Sequence, residues 1–226
     1  RVSDEVKKHF INMRGRGPET EAESSRRKEA QTIRMETGTA GHNTLEDLIN
    51  LKTNNLKTTK AQILANSPFN KAQLDTLSKG VDDIVKQVNE QQDKINKKNG
   101  TKGKAIFRTE QIIINTSKDT GGTIDLLVLF NDGSAAVYDY KFVSPSIEAG
   151  YVDRKTGKIV NDPFAVKMDT YNIQIGAYKQ TLLNEYGVTK VRQSRIVPIH
   201  IRYEYNKEKE RITRPKYKWG LSIVSS

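Results

Sequence analysis

An α/β fold with a central mixed sheet flanked by helices is predicted by a change of period part-way along the chain. Up to about residue 100, apolar residues recur at helical spacing. Beyond it, three segments read as strands, then one helix, then two more strands. Helices, three strands, helix, two strands describe a layered sandwich with a mixed sheet in the middle, α/β or, more loosely, α+β. We expect one domain over residues 1–226, with a helical part at 1–100 and a sheet core at 104–226.

The elements follow in order. Gly15-Arg16-Gly17-Pro18 breaks the chain, and residues 19–36 read as a charged helix with little apolar face. Residues 39–51 form a second helix, with Thr39 as N-cap and Leu45, Leu48 and Ile49 as its apolar stripe. Residues 54–60 are a polar loop. Ser67-Pro68 reads as an N-cap with proline in the first turn. Leu74, Leu77, Val81, Ile84, Val85 and Val88 then follow at helical spacing, and the helix should fade within residues 89–99. The run Asn99-Gly100-Thr101-Lys102-Gly103 is a turn. Strands are expected at 105–114, 123–130 and 135–142, with residues 115–122 as a connection. Residues 147–163 form a polar insertion with a small hairpin around Lys155-Thr156-Gly157. A helix over 167–186 stops at Gly187. Val197, Ile199, Ile201, Tyr203 and Tyr205 alternate as one strand face, and Pro198 places that strand at an edge or bulge. Residues 217–224 make a last strand.

Composition narrows the chemistry. No cysteine is present, which excludes disulfides, thiolate zinc sites, iron–sulfur clusters and cysteine nucleophiles. The first residues carry no signal-peptide core and no apolar run has membrane-spanning length, so a cytoplasmic setting is expected, a phage or viral source included. The first residue is not Met, which fits a trimmed chain or a piece of a longer polypeptide. With 38 Lys+Arg against 27 Asp+Glu the net charge is +11, which favours a polyanionic partner, nucleic acid being the commonest. Basic groups in the insertion (Arg154, Lys155, Lys158) and near the start (Arg26, Arg27, Lys28, Arg34) either guide a phosphate backbone or are simply solvated.

The chemistry centres on one hairpin. Asp125 sits within the apolar run Ile124 to Phe130, and Asp139 and Lys141 within the facing strand. A lone buried carboxylate is costly unless paired or bound to metal. A three-residue loop, Asn131-Asp132-Gly133, pairs Phe130 with Ser134 and so sets Asp125 opposite Asp139. Lys141, two residues on, shares that face. A two-residue loop would slip the register and separate the acids. Two carboxylates suit Mg²⁺ or Mn²⁺. The bland alternative is a buried Asp–Lys salt bridge, which leaves the second Asp without a partner.

Gly122-Thr123-Ile124-Asp125 followed by Asp139-Tyr140-Lys141 resembles the GxxD…(D/E)xK signature of the PD-(D/E)XK nuclease superfamily. Gln174 and Tyr178 are similar to the QxxxY motif of its RecB-like exonuclease branch. Gly38 to His42, with Leu45-Glu46, resembles that branch's GxxxH helix. The resemblance runs from about Gly38 to Tyr178. It implies a restriction-endonuclease-like core and a Mg- or Mn-dependent deoxyribonuclease of exonuclease-like action. His42, Asp125, Asp139 and the Tyr140 carbonyl would be metal ligands, and Lys141, with Asp125 and Asp139, catalytic. Gln174 and Tyr178 would orient the site or touch the DNA strand. Glu110 stands where many relatives have a Glu, and Glu46 is a further candidate. Relatives with an iron–sulfur cluster use four cysteines, which this chain lacks. The expected partner is DNA, single- or double-stranded, within a larger polypeptide or a replication, repair or phage assembly. Alternatives are a catalytically silent nucleic-acid-binding module and an RNA endonuclease of the cap-snatching type.

Overall fold

The computed structural model describes residues 21–53, 58–143, 151–152, 159–160, 163–200, 205–206, 211–212 and 224–225. The first helix, α1, runs unbroken over Glu21–Lys52. Two helices with an N-cap at Thr39 were expected there. Gly38 and Thr39 lower helix propensity but remove no backbone donor, so helix propagates through them, where proline would have stopped it. Its C-terminal half buries Leu45, Leu48 and Ile49 as the stripe predicts.

Two capping boxes reset the next boundaries. Thr59 accepts from the Gln62 amide while the Gln62 side chain accepts from the Thr59 amide, which starts a short helix, α2, at Lys60–Asn66. The sequence reading left that segment without structure. Asn70 and Gln73 make the same reciprocal pair at the head of α3, Lys71–Asn99. Ser67 therefore closes α2 and does not open α3. Helix α3 also continues through residues 89–99, because Gln92 and Ile95 are buried there. Gln92 is bound to Asn131 at the hairpin tip, donating to its side chain at 2.6 Å.

The sheet has the order β1-β2-β3-β6-β9. Its strands are β1 (Ile106–Asn115), β2 (Thr120–Leu129), β3 (Ser134–Val143), β6 (Lys190–His200) and β9 (Val224–Ser225). The pairs β1–β2 and β2–β3 are antiparallel, β3–β6 is parallel and β6–β9 antiparallel, so the sheet is mixed and the fold is α/β. Strand β2 begins at Thr120, earlier than expected, because a single 3₁₀ turn at Thr116–Lys118 makes the connection. The crossover between the parallel strands is α4, Pro163–Glu185, with proline at its first position. Between β3 and α4, β4 (Tyr151–Val152) pairs with β5 (Ile159–Val160), which fits the expected small hairpin; its turn lies outside the described residues. The bulge in β6 falls at Arg192, not at Pro198. Pro198 pairs with Lys141 on one side, and β9 reaches only Arg195 and Ile196 on the other. Val197 and Ile199 are buried as expected. Tyr205 belongs to a separate ladder, β7 (Tyr205–Asn206) with β8 (Arg211–Ile212), while Ile201, Tyr203 and most of the expected last strand lie outside the described residues. Among the described residues no helix is long and apolar enough to cross a membrane.

Two cores flank the sheet. Helices α1 and α3 pack Leu48, Ile49, Leu77, Val81 and Ile84 against Phe107, Leu126, Val128 and Tyr138. Helix α4 packs Tyr178 and Leu182 against Ile113, Ile124, Leu127 and Val137. Strict alternation would keep Phe107 with Ile113, and Leu126 with Ile124, on one face. Both pairs are instead divided between the two cores, so β1 and β2 exchange faces part-way along. The exchange falls at Glu110 and Asp125, the one position missing from an otherwise continuous ladder. Glu110 has φ 47°, a left-handed conformation costing a glutamate roughly 1–2 kcal/mol.

Candidate metal centre

Hairpin β2–β3 turns as the loop reading requires. Gly133 has φ 78°, the Phe130 amide donates to the Ser134 carbonyl at 2.8 Å, and the ladder pairs Leu129 with Ala135 through Leu126 with Tyr138. Carried one pair further, that register would set Asp125 opposite Asp139, but the ladder stops at Leu126 and Tyr138. At that point the Tyr140 amide leaves the ladder and donates to Asp125 Oδ2 at 2.6 Å. This charge-assisted bond fixes the carboxylate and leaves Oδ1 facing α1.

His42 meets it there. His42 Nδ1 lies 3.5 Å from Asp125 Oδ1 and 3.9 Å from Glu110 Oε1. One ligand atom from each of His42, Glu110 and Asp125 falls within 4.8 Å of the others, so the three can hold a metal ion. The imidazole is set by aromatic neighbours, edge-on to Tyr140 with centroids 6.4 Å apart and tilted to Phe142 at 5.5 Å. Gly41 makes room for Phe142: a Cβ there would sit 2.2 Å from the ring. Glu46 is drawn aside, accepting from the Thr109 hydroxyl at 3.0 Å, and so stands next to the trio without joining it.

Asp139 is nearly inaccessible, at 1% exposure, and its Oδ2 lies 2.6 Å from Lys141 Nζ. Lys141 is the charge partner of this buried oxygen. The structure thus brings Glu110, rather than Asp139, into the His42–Asp125 group and keeps Asp139 with Lys141 beside it. Helix α4 supplies the other wall. Gln174 Nε2 donates to Tyr178 Oη at 2.7 Å. The Tyr178 ring lies on Gly122, where a Cβ would stand 2.8 Å from Cε1. The glycine and aspartate of the GxxD run therefore have separate tasks: one admits Tyr178, the other carries charge. Tyr171, which the sequence reading did not single out, places its ring 5.1 Å from Lys141 Nζ. It lies three residues before Gln174 and seven before Tyr178, the spacing of one helix face, and that signal was available.

The charges conflict. Burial pushes the Asp139 carboxyl up, the Asp125 charge adds to this, and Lys141 pulls against both. Glu110 is pushed up by burial and then by Asp125. For His42 burial acts downward, but Asp125 and then Glu110 outweigh it and leave the imidazole above its ordinary value. Positive charge is what the cluster is short of. The donor set, the His42 imidazole nitrogen and the Glu110 and Asp125 carboxylate oxygens, fits a hard divalent cation.

No protein-family model, curated protein or solved structure matches the chain.

Proposed function

We propose that this chain is a divalent-metal-dependent nuclease that hydrolyses DNA phosphodiester bonds in an exonuclease-like manner, on a restriction-endonuclease-like core. The observation that carries the proposal is the meeting of His42, Glu110 and Asp125 with the Asp139–Lys141 pair at the base of one hairpin. His42, Glu110 and Asp125 would hold a Mg²⁺ or Mn²⁺ ion, which when bound would supply Lewis-acid chemistry.

The chain's own groups do the rest. The Tyr140 amide holds Asp125 in one orientation, so the ligand atom is set before substrate arrives. Lys141, steadied by Asp139 and the Tyr171 ring, presents an ammonium that offsets charge developing on phosphorus and orients the attacking water. Gln174 keeps Tyr178 Oη aimed along the wall beside Gly122, where the pair guides the DNA strand. The Tyr140 carbonyl would complete the ligand set.

The test is digestion of matched DNA and RNA oligonucleotides with Mg²⁺ or Mn²⁺. Wild-type protein should degrade DNA. Lys141→Ala and Asp125→Ala should each lower the rate by roughly 10²–10⁴-fold, the worth of a positioned acid–base or electrostatic group. Undiminished cutting by both variants overturns the assignment, and preference for RNA overturns the substrate.

A further inference from the structure

We infer that the turn from α3 into β1, together with the exposed side of β1, is the path along which one nucleic-acid strand is led to the site by its phosphates. The inference rests on the nuclease reading for the nature of the polyanion, and it places the substrate on the chain.

Between Asp93 and Glu110 the sequence carries Lys94, Lys97, Lys98, Lys102, Lys104 and Arg108 and no acidic residue. These six cations exceed half of the net +11. All six are exposed, and none has an ion-pair partner among the described residues. Two exposed lysines elsewhere are answered by acids, Lys52 by Asp82 and Lys60 by Asp75, each at 2.7 Å, and the exposed Lys71, Lys79 and Lys86 of α3 are interspersed with Asp75, Asp82 and Asp83. An ordinary solvated surface intersperses the two signs. Here a single sign runs without interruption and stops at Glu110, a member of the metal group.

Position makes the run a track. Strand β1 is the edge of the sheet, so among the described residues no further strand covers this side. Arg108 precedes Glu110 by two residues, about 7 Å along the strand, and Lys104 lies just before the strand begins at Ile106. The guanidinium nearest the site is suited to gripping a phosphate with two parallel bonds. Phe107 is buried and Ile106 is the one exposed apolar side chain in the run, so no aromatic platform is offered to bases. The contact is with the backbone and is indifferent to sequence.

The experiment measures anisotropy of a labelled twelve-nucleotide single-stranded DNA in EDTA over a range of salt, so nothing is cut. The triple variant K98E/K102E/K104E should bind about tenfold or more weakly. Its slope of log K against log salt should be lower by about 2, near 0.7 per lost phosphate contact. The control K71E/K79E/K86E makes the same charge change at exposed lysines of α3 outside the run, and it should bind within about twofold of wild type. Equal weakening by both triple variants, or weakening by neither, overturns the path. In cleavage assays Arg108→Ala should raise KM several-fold and leave kcat within about twofold; a fall in kcat at constant KM overturns its role as a backbone contact. Selective weakening in a chain that cuts nothing with Mn²⁺ keeps the path and removes the nuclease reading. Unchanged binding by variants of a chain that cuts removes the path alone.

Discussion

The two ends of the β2–β3 hairpin hold acids in opposite circumstances. At the tip, Asp132 accepts from the Ser134 amide and hydroxyl and pairs with Arg192. Burial acts to raise its carboxyl, but these bonds outweigh it and hold it at about 2. At the base, Glu110 and Asp139 are pushed the other way, by burial and by Asp125. The tip is a completed network of local bonds whose product is stability. The base sets three carboxylates against one ammonium and one imidazole, with a left-handed glutamate in its midst, an arrangement that could hold a cation.

Substitutions should separate the two ends. The largest effect belongs to the base: Asp125→Asn keeps the shape and should lower cleavage by at least 10²-fold, with melting temperature nearly unchanged. At the tip, Asp132→Ala should cost about 1–3 kcal/mol in denaturant unfolding and leave kcat unaltered. Between them, Gly122→Ala forces a methyl against Tyr178 and should cost about 1–3 kcal/mol while also reducing kcat, because it moves the α4 wall. Loss of activity in Asp132→Ala at temperatures where it stays folded would erase the contrast.

Smaller effects sharpen it. Glu110→Gly relieves the left-handed backbone and should stabilise the metal-free protein by about 1 kcal/mol, while weakening Mn²⁺ binding. Stability should also depend on pH in opposite senses. Asp132, held low, contributes stability that is present above its ordinary value of 3.8 and lost as pH falls toward about 2. Glu110, held high, opposes folding once it ionises, so its adverse effect is absent below 4.5 and grows as pH rises through its folded value. His42, also held high, stabilises below 6.5 and ceases to do so as pH rises through its folded value. The metal-free protein should therefore melt lower at pH 8 than at pH 6, and thermal scans with and without Mn²⁺ should show the ion recovering the difference. A melting temperature that rises over that interval contradicts the account of the base.

Much of this was legible in the sequence because it is local. The loop Asn131-Asp132-Gly133 set the hairpin register that the ladder shows from Leu129–Ala135 to Leu126–Tyr138, and helical spacing put His42 on the face of Leu45 and Ile49. Helix boundaries were less legible. Asn70–Gln73 and Ser67-Pro68 both look like starts, and the reciprocal pair won because it satisfies two backbone donors. The face exchange at Glu110 was not legible, since alternation presumes a regular strand and the exchange depends on two cores pulling on opposite sides. The approach of Glu110 to His42 and Asp125 falls at that exchange, whereas Asp139 stands beside Lys141 by the ordinary alternation of β3.

The most direct measurement is a calorimetric titration of Mn²⁺ into wild type and Asp125→Asn at pH 7.5. Binding to the wild type with proton release, and at least tenfold weaker binding to the variant, is the predicted result. No heat of binding to the wild type at millimolar Mn²⁺, or equal affinity in both proteins, would contradict a metal centre at the base of the hairpin.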